Sequence, residues 1–239
     1  MKYRLPKGKT RDIAFDATIR IAACHQKNRN KGTLAVRVNA EDIREKVREK
    51  RTGATILFAV DASGSMGAQK RMGAVKGAVL SLLNDAYQKR DSVGIIAFRE
   101  DKAEVLLNIT RSVDLAQRCL KSLPTGGKTP LAIGLERSYE ILKTERIKNP
   151  DVLQYLILVS DGKANISIKS DNPLQESLAI AEKIRYEGIK SMVIDTESGY
   201  IQFGFAKDLA DKMESKYLKL ENLSQEDIKF NVKELIQRG

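Results

Sequence analysis

The chain of 239 residues has no tryptophan, one histidine, two cysteines and five prolines, and only 5% of its residues are aromatic. Each scarcity removes a class of function. His25 lies far from every expected strand end, so no Ser-His-Asp or Cys-His arrangement can be assembled around it. Cys24 and Cys119 are far apart in apolar helical contexts. They read as buried thiols of a reducing cytoplasm rather than as a disulfide framework. No apolar stretch approaches the ~20 residues that span a bilayer. No apolar core follows the charged start Met1-Lys-Tyr-Arg-Leu-Pro-Lys-Gly-Lys, so a secretory signal is not expected and the location reads as cytoplasmic.

Charge, by contrast, is abundant and uneven. The formal net charge is +11. Residues 1–52 carry 15 Lys/Arg against 6 Asp/Glu, a net of +9, while residues 53–239 carry 27 against 25. The chain therefore reads as a basic N-terminal extension (1–52) packed on a nearly neutral body (53–239). Such an arm suits nucleic acid, but its only aromatics are Tyr3 and Phe15 and it shows no stacking set. An acidic protein partner fits at least as well, and a plain solvated surface is the third reading. Within the arm, residues 12–25 have helical spacing, 34–38 read as a strand and 40–50 as a charged helix. Ile13, Ile19, Ile21 and Val36 call for burial.

From residue 53 onward, short apolar runs alternate with longer amphipathic ones. Strands are expected over 55–60, 92–98, 104–109, 155–160, 191–195 and 217–220. Helices are expected over 70–88, 113–121, 131–144, 174–187, 205–215 and 224–238. The strands are mostly continuous apolar runs, as in strands covered on both faces. This alternation predicts an α/β fold, a doubly wound and mostly parallel sheet. The short polar connection between 98 and 104 predicts one antiparallel edge strand.

The strand at 55–60 runs into Asp61-Ala-Ser-Gly-Ser65. Asp61, Ser63 and Ser65 are hard oxygen donors suited to Mg²⁺ or Mn²⁺ rather than to zinc or copper. Three donors fall short of the about six that such an ion takes. Sites in open parallel sheets form beyond the carboxyl ends of the strands, and two more loops deliver oxygens there. Thr125-Gly-Gly-Lys-Thr-Pro-Leu131 places Thr129 at the start of a helix, and the strand at 155–160 ends in Asp161-Gly162. The expected metal set is Asp61, Ser63, Ser65, Thr129 and Asp161. Taken singly, Asp161-Gly162 also reads as a turn, and Thr129, Ser63 and Ser65 as helix caps. A phosphate-loop reading of Gly127-Lys128-Thr129 needs a glycine where Ser122 stands and a strand leading in, and Pro130 follows directly. Metal-assisted hydrolysis lacks a general base, unless Asp161 does double duty. The chain does not read as a catalyst on its own.

Asp-x-Ser-x-Ser at a strand end, a distant Thr and a later strand-terminal Asp resemble the metal-ion-dependent adhesion site of von Willebrand factor A domains, a Rossmann-like fold. Arg71-Met72, Asp91-Ser-Val, Pro124-Thr-Gly-Gly-Lys-Thr-Pro-Leu131, Val159-Ser-Asp-Gly162 and Val193-Ile-Asp-Thr-Glu197 add a closer resemblance. They are similar to the C-terminal part of the D subunit of the magnesium chelatase family. In the arm, Leu5-Pro-Lys-Gly-Lys9, Asp16-Ala-Thr18 and Glu41-Asp42-Ile-Arg44 share it. The AAA+-like module and the Pro-rich acidic linker of that family are not in this sequence.

The resemblance implies that Asp61, Ser63, Ser65 and Thr129 are direct or near-direct ligands of Mg²⁺ (or Mn²⁺), with Asp161 acting through a water. It leaves one coordination position for a partner's Asp or Glu. It further implies a non-catalytic subunit of an ATP-dependent metal chelatase acting on a tetrapyrrole. The partners would be an AAA+ ATPase subunit that donates the carboxylate and the large chelatase subunit, with neither membrane nor nucleic acid required. Lys128 stands where the resemblance calls for a small residue; its ammonium would weaken cation binding or compensate a second carboxylate. Lys128, Arg44, Lys46 and Arg48 are the expected partner contacts, the last three by electrostatic steering. A general metal-dependent adaptor with no tetrapyrrole role is the alternative.

Overall fold

The computed structural model describes residues 3–6, 8, 12–30, 33–47, 53–63, 91–121, 127–168, 171–197, 202–220 and 224–237, with isolated positions between 73 and 84. Ser65, Arg48 and most of the helix expected over 70–88 lie outside the described residues. The chain forms two compact units, Met1–Arg51 and Thr52–Gly239.

In the first unit, β1 (Tyr3–Arg4) pairs antiparallel with β2 (Glu45–Lys46), and α1 (Phe15–Cys24) supplies the small buried residues Ala17 and Ala22. The rest of the interior is polar and stitched. The buried Gln26 amide donates to the Ala22 carbonyl (2.6 Å) and the Arg37 carbonyl (2.9 Å), and its oxygen accepts the Arg37 N–H (2.9 Å). The buried Asp42 carboxylate receives both arms of the Arg29 guanidinium and the Asn39 N–H at 2.8 Å. Arg29, foremost, and Asn39 hold this carboxyl down to about 2.

These bonds correct two expectations. Residues 34–38 form no strand, because the Arg37 amide pairs with the Gln26 side chain instead of a neighbouring strand. Over the described part of the helix expected at 40–50, residues 40–47, the only helical piece is a single 3₁₀ turn, Ala40–Asp42, closed by an Asn39–Asp42 capping box. Ile43 is then extended (ψ 131°), and the chain continues into β2. Ile19 is 49% exposed rather than buried, because the small residues of α1 face inward. For the same reason Cys24 is exposed, while Cys119 is partly buried.

The second unit is built on a six-stranded sheet in the order β5-β4-β3-β6-β7-β8. Its strands are β3 (Ala54–Asp61), β4 (Ser92–Arg99), β5 (Lys102–Thr110), β6 (Leu153–Ser160), β7 (Lys190–Asp195) and β8 (Lys216–Lys219). All neighbours are parallel except β4 and β5, the expected antiparallel edge pair. Burial on both faces explains the unbroken apolar runs. From β3, Ile56, Phe58 and Val60 enter one core, together with Ile228 and Val232 of α6 (Gln225–Gln237) and Ala116 of α2 (Val113–Lys121). Leu57 and Ala59 enter the other. There they meet Leu131 and Leu135 of α3 (Leu131–Lys148), Ile180 and Ile184 of α4 (Pro173–Tyr186) and Leu209 of α5 (Phe205–Lys212). Each fully buried side chain of this size contributes about 1.5–3 kcal/mol.

The chain leaves β3 toward β4 and later returns to β6 on the other side of β3. The sheet therefore reverses its strand order between β3 and β6, and a crevice opens beyond their carboxyl ends.

Candidate metal centre at the β3–β6 crevice

Asp61 is the last residue of β3, and Ser160 is the last of β6, the neighbouring strand. The Asp61 carboxylate accepts the Ser63 N–H through Oδ1 (2.9 Å) and the Ser160 hydroxyl through Oδ2 (3.0 Å). Ser160 Oγ in turn accepts the Gly162 N–H at 3.1 Å. One buried hydroxyl thus ties the end of β3 to the turn after β6. Burial pushes the Asp61 carboxyl up to about 6, and the nearby Asp161 charge adds to the rise. Hydrogen bonds from the Ser63 N–H and hydroxyl and from Ser160 oppose it. Asp61 is therefore a carboxylate short of positive charge.

Asp161 belongs to a tight turn. Its Oδ1 accepts the Lys163 N–H (3.0 Å), and the Lys163 ammonium stands 3.2 Å from Oδ2. Gly162 has φ +77°, and a Cβ there would lie 2.2 Å from Ala206 N and 2.5 Å from Phe205 C. Only glycine lets the Asp161 turn sit directly on the start of α5.

Thr129 is buried and precedes Pro130, which caps α3. The threonine side chain is not the helix cap, so its hydroxyl is not committed there. Its loop is held on two sides: Glu100 N–H donates to the Lys128 carbonyl (2.9 Å), and Asn165 N–H donates to the Thr129 carbonyl (3.1 Å). Glu100 itself adopts a left-handed φ of +57° at the tip of the β4–β5 hairpin, against Gly127. Thr129 is thereby braced between the hairpin tip and the loop that follows β6.

The structure describes Asp61, Ser63, Thr129 and Asp161 among the expected metal ligands and brings the Asp61 and Asp161 carboxylates within electrostatic reach of each other. Lys128 is exposed. In the first unit, the Arg44 guanidinium bonds the Glu41 and Ile43 carbonyls (2.7 and 2.9 Å), and Lys46 lies 3.9 Å from the Asp12 carboxylate. Both expected steering cations are thus engaged within their own unit. Sequence reasoning took Ser160 only as a strand end and missed that it links Asp61 to the Asp161 turn. The available signal was a hydroxyl closing an otherwise apolar strand immediately before Asp-Gly.

A second pair of carboxylates secures the adjoining rim. Asp195, at the end of β7, accepts the Tyr217 hydroxyl and the Glu197 N–H (2.7 Å). Burial, first of all, raises its carboxyl above the ordinary range. The buried Glu197 carboxylate accepts the Phe203 and Gly204 N–H groups at 2.9 and 3.2 Å. These backbone bonds hold the chain just before α5.

Residues 56–163 match the von Willebrand factor type A domain, and residues 1–48 match the AAPxQ domain. The vWF domain of the type V pili tip protein Mfa5 from Porphyromonas gingivalis shares the fold, with a TM-score of 0.61 over 79% of this chain and 96% of that one at 12% identity. The chain carries a von Willebrand factor type A domain. Among relatives of this A-domain protein, an uncharacterized protein of Methanocaldococcus jannaschii is 48% identical over 164 residues, 68% of this chain and 94% of its own length. The magnesium-chelatase 67 kDa subunit of Heliobacterium mobile is 38% identical over 240 residues, 95% of this chain. The A-domain chain spans only 36% of that subunit's length.

The A-domain rim fits a hard divalent ion chemically. Its donors are oxygens alone, and the half-buried Asp61 carboxylate has only neutral hydrogen-bond donors as its named partners. Among the described residues, no three His, Cys, Asp or Glu side chains converge to hold an ion. Any ion here therefore relies on hydroxyls and water beside two carboxylates. Among the described residues, no helix is long and apolar enough to cross a membrane.

Proposed function

We propose that the rim between β3 and β6 binds Mg²⁺ or Mn²⁺ through Asp61, Ser63, Ser65 and Thr129, with Asp161 acting through a water, and that the ion docks a carboxylate of a protein partner. The observation that carries this reading is the half-buried Asp61 carboxylate, tied to the Ser63 N–H and the Ser160 hydroxyl at a sheet crevice and faced by a second carboxylate, so that burial and that charge push it toward neutrality. A bound divalent ion supplies a positive centre that hydroxyl ligands compensate only in part, so an incoming Asp or Glu gains charge pairing and a metal bond. The chain's own part is to hold the donors in place. Ser160 orients Asp61, the Glu100 tip and Asn165 brace the Thr129 loop, and Gly162 seats the Asp161 turn on α5.

The likeness to magnesium-chelatase subunits supports a more specific role. In this reading the chain acts as a non-catalytic part of an ATP-dependent metal chelatase working on a tetrapyrrole. Its partners are an AAA+ ATPase subunit that donates the carboxylate and the large chelatase subunit. The basic extension, residues 1–52, adds electrostatic steering toward an acidic partner surface. A pull-down with and without EDTA tests the reading. Capture of an AAA+ ATPase in Mg²⁺ that is lost in EDTA and in Asp61→Ala is the expected result. Capture that survives both overturns metal-dependent docking.

A further inference from the structure

Phe203 is exposed but not loose. Its side chain is 59% exposed, yet it is held from three directions. Its N–H and that of Gly204 bond to the buried Glu197 carboxylate at 2.9 and 3.2 Å. Its ring stacks on that of Phe205, the first residue of α5, with centroids 5.6 Å apart and planes at 4°. The Lys163 ammonium lies 5.8 Å from its centroid and 3.2 Å from Asp161 Oδ2. One lysine head group thus stands between the ring and the Asp161 turn of the rim. An aromatic side chain already ordered at the edge of a site anchors a protein partner with little further loss of entropy.

Resting on the metal-site reading above, we infer that Phe203 is the apolar half of the docking surface, and that the partner segment carries a large apolar side chain two residues from the carboxylate that reaches the ion. The spacing follows from chain geometry. In an extended segment, residues i and i+2 point to the same side about 7 Å apart, the scale on which Lys163 bridges Asp161 and the ring. Neighbouring residues point to opposite sides and cannot engage both halves. A nucleic acid fits less well. A base would stack on the ring, but its phosphates would meet the Asp161 carboxylate, and the Lys163 charge is already paired there. A protein segment that brings one carboxylate to the ion and one apolar side chain to the ring matches both halves.

The test uses three capped peptides, acetyl-Gly-Glu-Ser-Leu-Gly-amide, acetyl-Gly-Glu-Leu-Ser-Gly-amide and acetyl-Gly-Glu-Ser-Ser-Gly-amide. Each is titrated into the full chain in Mg²⁺ and followed by amide NMR shifts. The Glu-Ser-Leu peptide binds about three- to tenfold tighter than the other two, the range expected for covering part of one aliphatic side chain. In Phe203→Ala all three bind with the weaker affinity. Mg²⁺ affinity and the circular dichroism spectrum hold in that variant, because the bonds to Glu197 come from the backbone. Phe203→Leu keeps part of the preference. Phe230→Ala, which removes an exposed aromatic on α6, keeps all of it. A wild type that binds the three peptides alike overturns the inference, as does a leucine preference that survives Phe203→Ala. Displacement of the peptide by oligothymidylate overturns it in favour of nucleic acid. In each case the metal site stands if peptide binding is lost in EDTA and in Asp61→Ala. A wild type that binds no peptide in Mg²⁺, or binds all three equally well in EDTA, overturns both.

Discussion

Two glycines with nearly the same backbone angle separate conformational strain from crowding at the candidate site. Gly188 (φ +68°) ends α4 in a Schellman motif: its N–H bonds the Arg185 carbonyl at 2.8 Å, and the Ile189 N–H bonds Ile184 at 3.3 Å. A Cβ at Gly188 would meet nothing within 4 Å. Gly188→Ala therefore costs only the left-handed conformation, about 1–2 kcal/mol. Gly162 (φ +77°) carries the same strain, but its Cβ would run into the backbone of Phe205 and Ala206 at 2.5 and 2.2 Å. Backbone at the start of a packed helix cannot swing aside as a side-chain tip can. Overpacking of this kind adds about 1–3 kcal/mol, so Gly162→Ala costs about 2–5 kcal/mol. Urea unfolding of the two variants, followed by circular dichroism, measures the difference. The same shift pushes Asp161 and Lys163 from their places, so Mg²⁺ affinity falls in Gly162→Ala and holds in Gly188→Ala. A Gly162→Ala protein no less stable than Gly188→Ala would refute the contact between the Asp161 turn and α5.

Ser160→Ala leaves the Gly162 N–H without its acceptor and removes a donor from Asp61. Urea unfolding should show a loss of about 1–3 kcal/mol, and titration calorimetry a weaker Mg²⁺ site; a neutral outcome in both would show that Ser160 does not link the two strand ends. Asp61→Asn in EDTA near pH 8 should raise the melting temperature while removing Mg²⁺ binding. Keeping this half-buried carboxylate ionised costs up to about 3 kcal/mol relative to an ordinary aspartate, and a variant less stable than the wild type contradicts that cost. In the first unit, the depressed Asp42 carboxyl contributes stability that is present above the ordinary aspartate value and is lost as pH falls toward about 2. The Asn39 amide, which donates to Asp42, should report this by NMR as a transition near pH 2, and a transition near pH 4 would exclude the Arg29 pairing.

The second unit was legible because its signals are repetitive. Strands buried on both faces must be apolar at every position, and residues 55–60, 92–98 and 155–160 are read as strands without knowledge of their neighbours. Asp61 and Asp161 were legible for the same reason, as carboxylates that interrupt such runs at their carboxyl ends. The first unit was not legible at this level. Its short segments are held by side-chain to backbone bonds from Gln26, Asp42 and Thr18, and polar stitching of that kind leaves no periodicity. The expected helix over 40–50 is consistent with local charge patterning, but Asn39 and Asp42 close it after one turn. Ser160 escaped notice because a single hydroxyl acquires its meaning only when β3 and β6 lie side by side.

The rim concentrates features that a sheet edge built for stability alone would avoid. A charge at the end of a central strand is partly withdrawn from water and left short of compensation, with a second carboxylate nearby. A non-glycine residue in the left-handed region, Glu100, forms the tip that braces Thr129. A glycine is required where the Asp161 turn meets α5. Each is a local cost, and all three fall at the carboxyl ends of β3, β4 and β6. Departures from local stability rules mark sites whose geometry serves something other than the fold. The same three costs hold Asp61, Thr129 and Asp161 still, so little ordering remains to be done when a cation arrives. A rim prepared in this way favours an ion that repays poorly compensated negative charge, which is the physical ground for proposing a hard divalent metal there.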